Sequence, residues 1–113
     1  MNVDKYIISI YNEVNGDSAI SVDDGEKVFK KIDQALSNNL KVELDFQNIN
    51  LIITAFLNAA IGQLYSKYSS EELNNNLKLL NIKQEDIPLF QLVIERAKKY
   101  FENPQGFEDD VNN

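Results

Sequence analysis

Strict alternation of side-chain character in residues 40–46 constrains the fold more than any other feature of the sequence. Leu40, Val42, Leu44 and Phe46 are apolar, and a charged residue stands between each pair of them. Because successive side chains of a strand point to opposite faces, this period of two predicts a strand with one buried face. We expect Leu44 and Phe46 to lie beneath helices.

The segments around this strand have a helical period instead. Apolar residues recur at helical spacing in residues 28–36, downstream of Ser21, whose hydroxyl is placed to cap a helix start. A second apolar stripe predicts a helix over residues 54–69, and a third predicts one over residues 85–102. Pro88 falls in the first turn of the third helix, where proline is tolerated.

Short β-branched and aromatic runs predict the other strands. Residues 6–11 form one, residues 77–82 form another, and Asn15-Gly16 predicts a hairpin turn that returns through a short strand at 19–20. The resulting order is β-β-α-β-α-β-α. Strands separated by helices imply right-handed crossovers, so we expect an α/β fold with a small mixed, mostly parallel sheet and three main helices.

The length of 113 residues corresponds to one domain, which we assign to residues 1–103. Residues 104–113 include Glu108, Asp109 and Asp110, and we expect this acidic tail to be disordered. No apolar run is long enough for a membrane span, no signal-peptide pattern opens the chain, and cysteine is absent. We therefore expect a cytoplasmic protein that does not bind a membrane.

The residue types needed for most chemistry are missing from the sequence. It contains no histidine and no cysteine, and its four glycines are scattered, so we expect no enzymatic activity, no metal and no cofactor. The net charge is −7, and the lysine pairs at 30–31 and 98–99 are isolated, which argues against nucleic-acid binding. Asp45 is a candidate site residue because it ends a strand, although hydrogen bonding to loop or helix amides is the favoured interpretation.

Residues 42–65 combine a hydrophobic strand ending in Leu-Asp-Phe, a short loop, a small-residue turn and an apolar helix with Ile-Gly-Gln-Leu-Tyr. This stretch resembles the STAS domains, typified by bacterial anti-sigma factor antagonists. It is more similar still to the STAS-like domains of unknown function of bacteria and mobile elements. The resemblance implies a STAS-like fold over about residues 5–102.

The sequence departs from the antagonist pattern at its regulatory turn. Antagonists carry Asp-Ser-Ser-Gly there, and a partner kinase phosphorylates the second serine. The aligned residues in this chain are Ile53, Thr54, Ala55 and Phe56, so the phosphoacceptor position is Ala55 and has no hydroxyl. Thr54 keeps a hydroxyl, which we interpret as the N-cap of the helix. Asp45 and Thr54 remain candidates for a switch or an anion site.

The leading hypothesis is a non-enzymatic regulatory module that binds a protein partner. The resemblance implies a histidine-kinase-like ATPase or a sigma-regulatory protein as that partner. Leu51-Ile52-Ile53 falls in a predicted loop, where at least one of the three side chains should be exposed. We therefore place the partner-binding residues at the turn and in the following helix: Gln47, Ile53, Thr54 and Asn58.

Two alternatives remain open. One is a small-ligand or nucleotide-binding STAS-like domain that uses the helix N-termini near Thr54 and Ser21. The other is an acidic inhibitor protein from a phage or mobile element.

Overall fold

A computed structural model describes residues 5–102, and the predicted acidic tail at 104–113 lies outside them. The strands are β1 (Lys5–Ser9), β2 (Ser18–Ala19), β3 (Lys41–Asp45), β4 (Leu51–Ile52) and β5 (Leu77–Leu80). The α-helices are α1 (Ile10–Val14), α2 (Val22–Ser37), α3 (Thr54–Ala60), α4 (Ser70–Asn76) and α5 (Ile87–Glu102). Two 3-10 turns, Gly62–Ser66 and Gln84–Asp86, follow α3 and precede α5.

The main sheet has the order β1-β3-β5, and both of its strand pairs are parallel. Leu44 of β3 lies between Ile8 and Leu79 and is fully buried, as the alternation in the sequence predicts. Phe46 is also buried and packs edge-to-face against Phe90 of α5, with the ring centroids 4.9 Å apart. The predicted class, α/β with mostly parallel strands, is confirmed.

The predicted hairpin at Asn15-Gly16 is wrong. The chain turns into α1 directly after β1, and the Ser9 hydroxyl caps this helix by accepting from the Asn12 amide at 3.2 Å. Asn15 adopts a positive φ of 59° as the C-cap of α1, so its conformational tolerance ends a helix rather than a hairpin. The strand that follows, β2, pairs in parallel with β4 and not with β1.

The helix predicted over residues 54–69 is interrupted. It ends at Ala60, continues as the 3-10 turn that begins at Gly62, and is followed by the separate helix α4. Ser69 and Glu72 form a capping box, in which each side chain accepts from the other residue's backbone amide. The capping box stabilises the start of α4 at this point, so a single helix does not continue through it. Both α1 and α4 therefore add to the three helices expected from the sequence.

Helices α2 and α3 approach each other closely where the first turn of α2 lies against α3. A Cβ built on Gly25 would stand 2.7 Å from the Ala59 Cβ and 2.7 Å from the Phe56 carbonyl oxygen, so only glycine fits this contact. The predicted cap of α2 is confirmed, since the Ser21 hydroxyl accepts from the Asp24 amide at 2.9 Å. Among residues 5–102, no helix has the length and apolar character that crossing a membrane requires.

Candidate functional site

The short strands β2 and β4 lead directly into α2 and α3, so the two helix starts are held together by one strand pair. Backbone hydrogen bonds define this junction: the amides of Asn50 and Leu51 donate to the Asp17 carbonyl at 2.8 and 3.1 Å. The Ile53 amide donates to the Ala19 carbonyl at 3.2 Å. The junction follows the carboxyl end of β3, and this end of a parallel sheet is where α/β folds usually bind ligands.

Strand alternation at the junction leaves apolar side chains in solvent. Ala19 and Ile52 pair with each other and are buried, so their neighbours point away from the core. The side chains left exposed beside the strand pair are Ile20 (46%), Leu51 (51%) and Ile53 (37%). Val22, the first residue of α2, is 51% exposed, and we call these four residues the apolar patch. Monomeric proteins seldom group large apolar side chains in this way unless they bind something there.

The expectation that at least one residue of 51–53 is exposed is confirmed, although Leu51 and Ile52 form a strand rather than a loop. Sequence reasoning missed Ile20 and Val22, because it placed the first in a hairpin strand and the second at an ordinary helix start.

Thr54 is the first residue of α3, and the predicted capping role of its hydroxyl is wrong. Ile53 occupies the N-cap position with extended backbone, and no side chain caps the helix. Thr54 and Ala55, which aligns with the phosphoacceptor, are both half-buried. Asn58 is exposed one turn further on, at the i+4 position, so it shares a helix face with Thr54.

The Asp45 side chain connects the segments that follow strands β3 and β5. Its Oδ1 accepts from the Gln47 amide at 3.0 Å and from the Asn81 side-chain amide at 2.8 Å, which confirms the interpretation as a loop-amide acceptor. Gln47 is exposed in the turn after β3. No hydrogen bond among the described residues joins Gln47 to Ile53 or Thr54.

A polar network borders the apolar patch. The Asp17 carboxylate accepts from the Asn50 side-chain amide at 3.0 Å and from the Ser18 hydroxyl at 3.3 Å, and these hydrogen bonds lower the pKa of Asp17. Lys83 donates to the Asn50 side-chain oxygen at 2.7 Å. Because Asn50 contacts both charged groups, the network fixes the turn that precedes β4.

The start of α2 is poorly suited to an anion. Ser21 already accepts from the Asp24 amide, and Asp23 and Asp24 place two carboxylates in the first turn. A negatively charged ligand would meet these carboxylates before it reached the remaining amides. These carboxylates disfavour an anion site near Ser21.

Several ionisable groups with shifted pKa values form hydrogen-bonded pairs at the surface. Lys67 donates to Asp33 at 2.8 Å and the Tyr68 hydroxyl donates to the same carboxylate at 2.7 Å, and both hydrogen bonds lower the pKa of Asp33. These contacts join α2 to the segment after α3. In the described part of the chain, no group of three or more potential metal-ligating side chains is assembled.

Comparison with known proteins gives one family. The model of a family described as "STAS-like domain of unknown function (DUF4325)" matches residues 24–86, which run from the first turn of α2 to the 3-10 turn before α5. A search of the curated proteins returned no match, and neither did a search of the solved structures. The matched region includes Leu51, Ile53 and the whole of α3.

Proposed function

The chain belongs to the family of STAS-like domains of unknown function, and we propose that it is a regulatory module without catalytic activity that binds a protein partner. The partner contacts the apolar patch and the start of α3. The observation that carries the proposal is the exposure of four large apolar side chains around one short strand pair: Ile20, Val22, Leu51 and Ile53.

The patch has the composition of an interface centre. Each of its side chains retains roughly half of its surface, so covering one contributes on the order of 1 kcal/mol. Covering all four side chains therefore contributes several kcal/mol, which offsets part of the entropy cost of association. A contribution of this size fits a reversible, regulated complex better than a permanent one. Thr54, Asn58 and Gln47 supply hydrogen-bonding groups for the polar rim that surrounds such a centre.

The resemblance to anti-sigma factor antagonists suggests the class of partner, a histidine-kinase-like ATPase or a sigma-regulatory protein. Ala55 occupies the position of the phosphorylated serine, so in this proposal binding is not switched off at that residue. Regulation would instead follow the concentration of the partner or a change elsewhere in the chain.

Single charge insertions test the proposal. Ile53→Asp and Ile20→Asp each place a carboxylate in the patch directly after one of the two strands, and Leu92→Asp on α5 is the matched control. Ile53 and Leu92 are 37% and 38% exposed, so both substitutions place a carboxylate at a partly exposed apolar position. Position 53 is also the N-cap of α3, where aspartate favours the helix, so loss of binding by the Ile53→Asp variant would not reflect a broken α3. Tagged forms are used to capture partners in the source cell, and the affinity of the captured partner is then measured with purified proteins.

We expect both patch variants to lose the partner and the Leu92 variant to retain it, with circular dichroism showing that all three fold. Retention of the partner by both patch variants would place the interface elsewhere. A loss that is equal in all three variants would trace the effect to the added charge and not to the patch.

A further inference from the structure

Three lysines converge on the outer face of the main sheet. Leu44 faces the helices, so Lys41 and Glu43 of the same strand face outwards. Strand register places Lys5 beside Lys41 and Lys78 beside Glu43. All three lysines are exposed, and Glu43 is half-buried among them.

A cavity of about 400 Å³ opens on this face, between the sheet and the end of α4. Its volume is in the range of roughly 300–1,000 Å³ that small-ligand sites occupy. The three lysines and Glu43 line one side. Three consecutive asparagines line the other: Asn74, Asn75 and Asn76.

The charges around the cavity are only partly compensated. Lys5 forms an ion pair with Glu43 at 3.2 Å, and Lys41 donates to the Asn75 carbonyl oxygen at 3.2 Å. Three lysines and one glutamate give 3 − 1 = +2, in a chain whose net charge is −7. Lys5 and Lys41 also occupy directly paired positions, an arrangement of like charges that weakens a sheet. The ion pair of Lys5 and the hydrogen bond of Lys41 to the last turn of α4 account for their positions, whereas no hydrogen bond or ion pair within residues 5–102 engages the Lys78 side chain.

We propose that this cavity is a binding site for a small anion that carries phosphate. Lysine binds phosphate as a compact point charge and does not require the planar, bidentate geometry that arginine provides for phosphate or carboxylate. Arg96, the only arginine in the sequence, lies on α5 and does not line the cavity. The Asn76 side-chain amide donates to the Glu72 carbonyl at 3.0 Å, so Asn74 and Asn75 are the residues that can add neutral donors. The site is independent of the apolar patch, since it lies towards the amino ends of the main strands.

Titration with inorganic pyrophosphate, followed by NMR of the ¹⁵N-labelled protein in metal-free buffer, tests this proposal. We expect saturable shifts at the amides of residues 41–43 and 74–78, weakening as ionic strength rises because the charges are exposed. Changing both Lys41 and Lys78 to Gln should lower the affinity by at least about tenfold, the effect of losing charge-assisted hydrogen bonds.

The matched control changes Lys30 and Lys99 to Gln, which removes the same charge from exposed positions outside the cavity. An equal loss of affinity in both double variants would mean non-specific attraction, and an absence of saturable shifts would mean no site. Citrate is titrated in parallel, and citrate binding as tight as that of pyrophosphate would refute the preference for phosphate. The spectra of the free variants report whether they remain folded.

Discussion

Replacing Gly25 by Ala should destabilise the domain, although the same change in most helices is stabilising. Gly25 lies in the first turn of α2, where α3 crosses closest to it. The added methyl group would stand 2.7 Å from both the Ala59 Cβ and the Phe56 carbonyl oxygen, and 3.3 Å from the Ala60 amide nitrogen. Two of these three atoms belong to the backbone, so relief requires α3 to move as a unit.

Two opposing free-energy contributions set the size of the stability change caused by Gly25→Ala. Alanine in a helix interior is favoured over glycine by about 1 kcal/mol. Forcing an extra methyl group into a close-packed contact costs about 1–3 kcal/mol, and the high end applies where backbone must shift. We therefore expect Gly25→Ala to lower the free energy of unfolding by about 1–2 kcal/mol.

Urea denaturation monitored by far-ultraviolet circular dichroism measures this difference, with Gly62→Ala as the control. Gly62 is also buried, but a Cβ there would lie 3.5 Å from the Asn58 side-chain oxygen and 3.8 Å from its other neighbours, which is ordinary contact. The Gly62 variant should keep or slightly exceed the wild-type stability.

A Gly25→Ala protein as stable as the wild type would refute the close approach of α2 and α3. If both variants lost stability equally, a shared backbone requirement for glycine would explain the result better than a clash. Because α3 begins beside the apolar patch, the Gly25 variant should also bind the partner more weakly than the Gly62 variant does.

Three further outcomes are expected. Leu44→Ala should cost about 2–5 kcal/mol in urea denaturation, because the side chain is fully buried, and a cost well under 1 kcal/mol would contradict its placement. Asp33→Asn should reduce stability at neutral pH: hydrogen bonds lower the pKa of Asp33 from 3.8, so the carboxylate stabilises the fold above that pH. The difference from wild type should shrink as pH falls through the lowered value, and denaturation at several pH values checks this. Mass spectrometry of protein from its native cell should find no phosphate on Thr54, because Ala55 holds the acceptor position; substantial phosphorylation there would restore a switch.

Much of the fold was predictable because its signals are local. The alternation in residues 40–46 identified the central strand, and Ser21 identified the start of α2. The same local reading failed at Asn15, where a residue that tolerates positive φ ends a helix instead of a hairpin. It failed again after Ala60, because the apolar stripe continues past the point where the helix ends.

The candidate site was predictable only in part. Exposure of at least one residue in 51–53 followed from three consecutive apolar residues in a short connection, and Asp45 was expected to accept from loop or helix amides. Ile20 was missed because its exposure depends on which strand β2 joins. Lys5, Lys41 and Lys78 are isolated in the sequence, and only the register of three strands brings them to one cavity.

By itself, the sequence determined the position of the central strand, the start of α2 and which face of the central strand is buried. These properties follow from periodicity and capping, which act within one or two turns of chain. Tertiary structure alone decided that β2 pairs with β4, that Gly25 meets α3, and that the apolar patch draws on both strands. Such pairings join residues more than thirty positions apart, such as Ser18 and Leu51, and no local pattern encodes the partner. They are set by the combination of contacts that buries the most apolar surface while every buried amide remains bonded.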